Sequence, residues 1–128
     1  VHPAFKDVFK RAKARDAIST PQYDSKLPVV AVRALRNKGT DEFGKLQLRL
    51  LKELEAGTIH RQEAQEEVEK FWVGALRRAA VDGDVENGSL MAGQSVGLVD
   101  EIMSVRDVIE ELLTDAEDTL GVIKGRFN

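Results

Sequence analysis

Cysteine is absent from the 128 residues, so disulfides, zinc–thiolate sites and thiol catalysis are excluded. Histidine occurs only as His2 and His60. No apolar run approaches the roughly 18 residues that a membrane span requires. The opening Val1-His2-Pro3-Ala4-Phe5-Lys6 is charged and broken by proline, which is unlike a signal peptide. A cytoplasmic protein with no membrane partner is expected. Aromatic residues are only 5% of the chain and do not interleave with Arg and Lys as a stacking platform for nucleic acid requires, so no nucleic-acid partner is expected.

What remains is the composition of an ordinary globular protein, with 42% hydrophobic and 32% charged residues. The length suits one domain over residues 1–128 with a modest core, and no linker divides it. The charge is lopsided. Residues 1–39 carry nine basic and three acidic side chains, and residues 40–128 carry ten basic and nineteen acidic, for a net charge of −3. Such asymmetry suits a basic half packing beside an acidic half, or against further sequence. The chain also begins at Val1 rather than Met, on the approach to a helix. A fragment of a larger protein is expected.

Pro3 suits the first turn of a helix, and Phe5, Val8, Phe9 and Ala12 recur at helical spacing, which predicts a helix over 3–14. The β-branched stretch Leu27–Arg36 predicts a strand, with Ala17-Ile18-Ser19 as its partner. Thr40 is the predicted cap of the next helix, with Asp41 and Glu42 in its first turn and Gly57 at its end. A long helix is predicted from Thr58 or His60 to Val81, with Ala64, Val68, Phe71, Trp72, Ala75, Leu76 and Ala79 as its apolar stripe. Ser104 and Asp107 form a capping box for a last helix. Its stripe is Val105, Val108, Ile109, Leu112, Leu113, Ala116, Leu120 and Ile123. The expected fold class is mainly α (α+β): four or more helices, with a small two-stranded β element confined to residues 15–37.

Several patterns could carry chemistry. Gly93-Gln94-Ser95-Val96-Gly97 spells the G-x-S-x-G nucleophile elbow, but both histidines precede Ser95 and no strand leads into Gly93. A hydrolase is not indicated. His60 and Glu63 stand at i, i+3, yet a metal site needs three or four ligands and no second pair exists, so no metal site is assigned. The acidic run Glu63–Glu69 suits a solvated helix face, and Arg77-Arg78 suits charge balance with nearby acids. The segment Gly88–Val99 is different. Three glycines in ten residues let backbone come close to something flat or crowded, Gln94 offers an amide donor and acceptor, and Met91 is soft against an aromatic face. No lysine follows in Walker fashion. On physical grounds a tight helix-packing turn and a ligand loop both remain open.

This segment, with Ala75-Leu76-Arg77-Arg78-Ala79 and Asp82-Gly83-Asp84 before it, resembles the C-terminal part of the flavin-dependent nitronate monooxygenase / enoyl-acyl-carrier-protein reductase II family. His2-Pro3 with the basic helix after it, and Arg33-x-x-x-Asn37, also resemble that family. Met91–Val99 is the most specific part. Where relatives often have Gly followed by Arg or His before the strand arginine, this chain has Val29-Val30, so no polar substrate contact is inferred there.

The resemblance implies a helical C-terminal region cut from an FMN-binding (β/α)8-barrel enzyme. It implies that Ala92, Gly93 and Gln94, with Met91 beside them, lie against the isoalloxazine of FMN in the intact parent. The phosphate-binding glycine loops and the catalytic histidine belong to the barrel, so no catalytic residue is assigned to this chain. The implied activity is oxidation of alkyl nitronates, a small-molecule substrate. The alternative is enoyl-acyl-carrier-protein reduction with NAD(P)H as reductant. A reading of another class is a free-standing helical module whose apolar stripes serve a partner or a dimer. As a cut piece, the chain is expected to self-associate or to dock on the missing barrel.

Overall fold

The computed structural model describes residues 1–126; residues 127 and 128 of the expected 1–128 domain lie outside the described residues. Five α-helices dominate: α1 (Pro3–Arg11), α2 (Lys38–Glu55), α3 (Arg61–Trp72), α4 (Ala75–Ala80) and α5 (Val105–Arg126). Two strands, β1 (Ala17–Ser19) and β2 (Arg33–Leu35), pair antiparallel with Ala17 opposite Leu35. Short 3₁₀ turns cover Ala14–Asp16 and Gln94–Leu98. The chain is mainly helical with a small β element, as its periodicity predicts.

α1 starts as the sequence suggests: Pro3 stands at the first turn and the Ala4 N–H donates to His2 Nδ1 at 3.1 Å. It stops at Arg11 rather than residue 14. Asp16 accepts the Lys13 N–H at 2.8 Å, which starts a separate 3₁₀ turn. β2 is only three residues long, whereas a strand over 27–36 was expected. The pairing continues past Ser19 by one residue, because the Thr20 N–H donates to Val32 O at 2.8 Å. The return bond goes from Val32 N–H to the Thr20 hydroxyl at 3.0 Å, a side chain in place of a carbonyl. Pro21 follows with no N–H to donate, and the ladder ends.

The cap of α2 is Asn37, not Thr40. Thr40 N–H donates to Asn37 Oδ1 at 3.0 Å, and the Thr40 hydroxyl accepts Asn37 N–H at 3.0 Å, a reciprocal box three residues wide. The predicted long helix is two helices. Gly74 takes φ +72, the left-handed region, and separates α3 from α4. The break has a packing consequence, because the two halves serve different cores. Val68, Phe71 and Trp72 pack with Leu27, Val29, Phe43, Leu50 and Ala64. Ala79 packs with Ala17, Leu35, Leu90 and Val96, under the apolar face of α1. Phe43 lies at the centre of the former cluster, with ring centroids 4.8 Å from Trp72 and 5.4 Å from Phe71.

α5 begins on the predicted capping box, with the Ser104 hydroxyl 2.6 Å from Asp107 Oδ2. Its apolar stripe has no cover in the described chain: no residue of α5 is buried, and Leu112 is 65% exposed. Among the described residues no helix is long and apolar enough to cross a membrane.

Candidate functional site

The Gly88–Val99 segment gains its position from β2. Leu35 N–H donates to Leu90 O at 2.9 Å, Ala92 N–H donates to Arg33 O at 3.1 Å, and Met91 bridges Ala34 antiparallel. Leu90-Met91-Ala92 thus lies as a third, minimal strand beside β2, an extension of the β element beyond the predicted 15–37 window. In an extended chain successive side chains alternate in direction. Leu90 and Ala92 pack on the α1 core, whereas Met91 is 50% exposed and Gly93 and Gln94 are exposed after it. Val96, buried in the same core, anchors the far end through the 3₁₀ turn.

The three glycines of the segment have different roles. A Cβ on Gly88 would stand 2.6 Å from Ala79 N and 2.6 Å from Asp84 O, and one on Gly97 would stand 2.7 Å from Ala14 N. Both are backbone collisions, so internal packing requires these two glycines. A Cβ on Gly93 would meet only Ser95 Oγ, at an ordinary 3.5 Å. Nothing within the described chain needs Gly93 to be bare. The strip Met91–Gln94 therefore exposes a smooth backbone edge, a thioether and an amide. These are groups that suit a flat heterocycle with a polar rim, so the strip fits one edge of a flavin ring. It holds no cationic or glycine-loop cradle for the flavin's phosphate.

Other residues of the family-like stretches are structural. Asn37 Nδ2 donates to Val85 O at 2.9 Å and to Gly88 O at 2.8 Å, tying the start of α2 to the turn that leads into the segment. Within that turn Asp84 accepts the Asn87 N–H at 3.0 Å and the Asn87 side-chain N–H at 2.9 Å. The Asn87 backbone bond, then its side-chain bond, holds the Asp84 carboxyl below its ordinary pKa. Arg33 Nη1 donates to Ala17 O at 2.9 Å across the β pair. Arg78 Nη1 donates to Val73 O at 3.1 Å, closing the end of α3.

The structure separates the remaining candidates. His60 caps α3 and its N–H donates to Glu63 Oε2 at 2.8 Å, so this pair is a capping box. Among the described residues no group of three potential ligands could hold a metal ion. Glu67, in the acidic run, pairs with Arg49 at 3.0 Å, and hydrogen bonds to Glu53 and then Glu67 raise the Arg49 pKa. Ser95 stands in the 3₁₀ turn with no histidine near it in sequence or by hydrogen bond among the described residues.

A cavity of about 640 Å³ opens beside Met91, walled by Val29, Val68, Trp72, Ala75 and Leu76. Its size is that of a small-molecule pocket, and its lining is mostly apolar. The one hint in the sequence was Gly74, a residue that weakens a helix without having to break it, so it did not by itself reveal the gap.

The fold is a helical region with an exposed edge at Met91–Gln94. Compared with family models and with curated proteins, the chain matches none. Among solved structures it is similar to FabK from Thermotoga maritima, with 36% identity and a TM-score of 0.69 over 98% of this chain and 34% of that one. A mutant of the same FabK gives 30% identity and a TM-score of 0.63 over 98% of this chain and 31% of that one. The chain thus spans about a third of the length of the FabK chains it matches.

Proposed function

We propose that this chain is the flavin-facing C-terminal part of an FMN-dependent enoyl-acyl-carrier-protein reductase II, the enzyme class to which FabK belongs. The observation that carries the reading is the 36% identity with FabK along 98% of the chain. It favours enoyl reduction over nitronate oxidation, the other activity implied by the family resemblance. Bound FMN supplies the two-electron chemistry, between NAD(P)H as donor and the enoyl double bond as acceptor. The share of this chain is positioning. Met91 and the bare backbone of Gly93 form one wall for the ring, and the Gln94 amide offers hydrogen bonds to its polar edge. Phosphate anchoring and proton transfer fall to residues outside this chain.

The intact protein should oxidise NAD(P)H faster when an enoyl thioester is added. An intact protein that oxidises alkyl nitronates and leaves enoyl thioesters untouched would overturn the reading. Gln94→Leu tests the strip itself, since it keeps bulk but removes the amide. Loss of a neutral hydrogen bond costs about 0.5–1.5 kcal/mol, so FMN retention or turnover should fall several-fold. Ser95→Ala should change little. Flavin binding, flavin potential and turnover all unchanged in Gln94→Leu would mean that the strip does not touch the cofactor.

A further inference from the structure

We infer that Asn37 is a positioning residue for the proposed flavin strip: its side-chain amide fixes the register that turns Met91, and not Leu90 or Ala92, towards the ring. This rests on the reading of Met91–Gln94 as flavin-facing. Two backbone bonds hold the strip on β2, from Leu35 N–H to Leu90 O at 2.9 Å and from Ala92 N–H to Arg33 O at 3.1 Å. They tie 35 to 90 and 33 to 92, on either side of the Ala34–Met91 bridge. The next rung in that register would join 37 to 88. There the backbone has turned into the cap of α2, and the Asn37 side chain makes the rung instead, with Nδ2 donating to Gly88 O at 2.8 Å.

The register needs this rung. In a short stretch with glycine at both ends, here Gly88 and Gly93, pairing is weakly specified, and a slip of one residue sends every side chain to the opposite face. Leu90 and Ala92 would then leave the α1 core, and Met91 would turn into it. The start of α2 also grips the turn just before the strip. Asn37 Nδ2 donates to Val85 O at 2.9 Å, and Gly39 N–H donates to Glu86 O at 2.9 Å. Gly88 is buried, so its carbonyl would be left short of a partner without the amide.

Asparagine suits the task because its amide has two different sides. Oδ1 accepts the Thr40 N–H at 3.0 Å and caps α2, while Nδ2 faces the two carbonyls. Serine and aspartate cap a helix about as well as asparagine. Serine carries no amide to reach Gly88 O, and an ionised aspartate turns an oxygen towards both carbonyls. Either change separates the cap from the rung.

The test uses the intact FMN-loaded protein. Asn37→Ser should shift the visible absorption bands of the flavin, make FMN dissociate several-fold more readily and slow turnover several-fold. Leu54→Ala is the control for stability alone, since Leu54 packs on the Phe43 cluster at the far end of α2. It should lower the melting temperature and leave the flavin bands and FMN retention unchanged. Should Asn37→Ser fail to fold, Asn37→Asp decides by the same readouts. Equal changes at the flavin in the Asn37 variant and in Leu54→Ala would make Asn37 a stabilising residue only and overturn the positioning role. A folded Asn37 variant with wild-type bands, FMN retention and turnover, beside a Gln94→Leu protein in which they change, overturns that role while the flavin reading stands. No change at the flavin in either variant overturns both.

Discussion

α3 and α5 carry apolar stripes of similar regularity, and the two meet different fates. On α3, Ala64, Val68, Phe71 and Trp72 close over Phe43 and Leu50 of α2. On α5, Val105, Val108, Ile109, Leu112, Leu113, Leu120 and Ile123 are all exposed, among the described residues. Helical periodicity says which face of a helix is apolar, but not what covers it. Burial needs a complementary surface within reach. α2 provides one for α3, across a connection of five residues that closes with Gly57 and the His60 cap. For α5 the described chain provides none, and the FabK chains that this protein resembles are about three times as long.

The largest effect should come from breaking the covered stripe. Phe43→Ala removes a side chain that is 1% exposed and packed on two aromatic rings. It should cost about 3–5 kcal/mol in denaturant unfolding of the chain. Leu112→Ala, the same kind of truncation on α5, should stay within about 0.5 kcal/mol. An equal cost at both positions would mean that α5 is packed in solution.

The uncovered stripe should also show itself in association. Contiguous apolar surface beyond a few hundred Å² is rarely tolerated on a monomer. The isolated chain should therefore self-associate in sedimentation, and Leu112→Glu with Leu113→Glu should shift it towards monomer. A wild-type chain that is cleanly monomeric at high concentration would count against a partner for this face.

A smaller contrast divides the glycines of the candidate site. Gly88→Ala drives a methyl into two backbone atoms and should cost about 1–3 kcal/mol. Gly93→Ala has only an ordinary contact to make and should stay within about 0.5 kcal/mol in the isolated chain. If the strip meets FMN as proposed, Gly93→Ala should weaken FMN retention in the intact protein. If Gly93→Ala is the more destabilising of the two in the isolated chain, the strip is a packing turn.

The smallest effect is electrostatic. Folding lowers the Asp84 pKa, so its contribution to stability is fully present above the ordinary carboxylate pKa and is lost as pH falls through the depressed folded value. Asn87→Ala deletes the side-chain bond but leaves the backbone N–H, so it should bring the titration part of the way back up. Carboxyl NMR titration of Asp84 in both proteins reads this directly. An Asp84 midpoint that does not move in Asn87→Ala would show that the side-chain bond does not form in solution.

Most helices were legible because their signals are local. Pro3, Gly57 and the Ser104-x-x-Asp107 box act within a turn of where they stand, and the expected ends followed from them. The errors arose where two local signals competed. Thr40 and Asn37 are both good caps, and Asn37 prevails because its side chain also meets the carbonyls of Val85 and Gly88, about fifty residues away in sequence. Gly74 was hidden by an apolar stripe that ran through it without a gap. The candidate strip was readable as a pattern, but its three glycines could not be told apart, since the atoms that crowd Gly88 and Gly97 include those of Ala79 in α4 and Ala14 in the first 3₁₀ turn.

The sequence by itself determined the helical character, the presence of a small two-stranded β element, the lack of cysteine in these 128 residues and the segment that resembles a flavin-facing loop. All of these depend on residue type and short-range spacing. The tertiary structure alone decided which apolar faces are covered, which glycine is free to meet a ligand, and where the cavity lies. Each of those depends on atoms brought together from distant parts of the chain, and packing against them is short-ranged in space while being unconstrained in sequence.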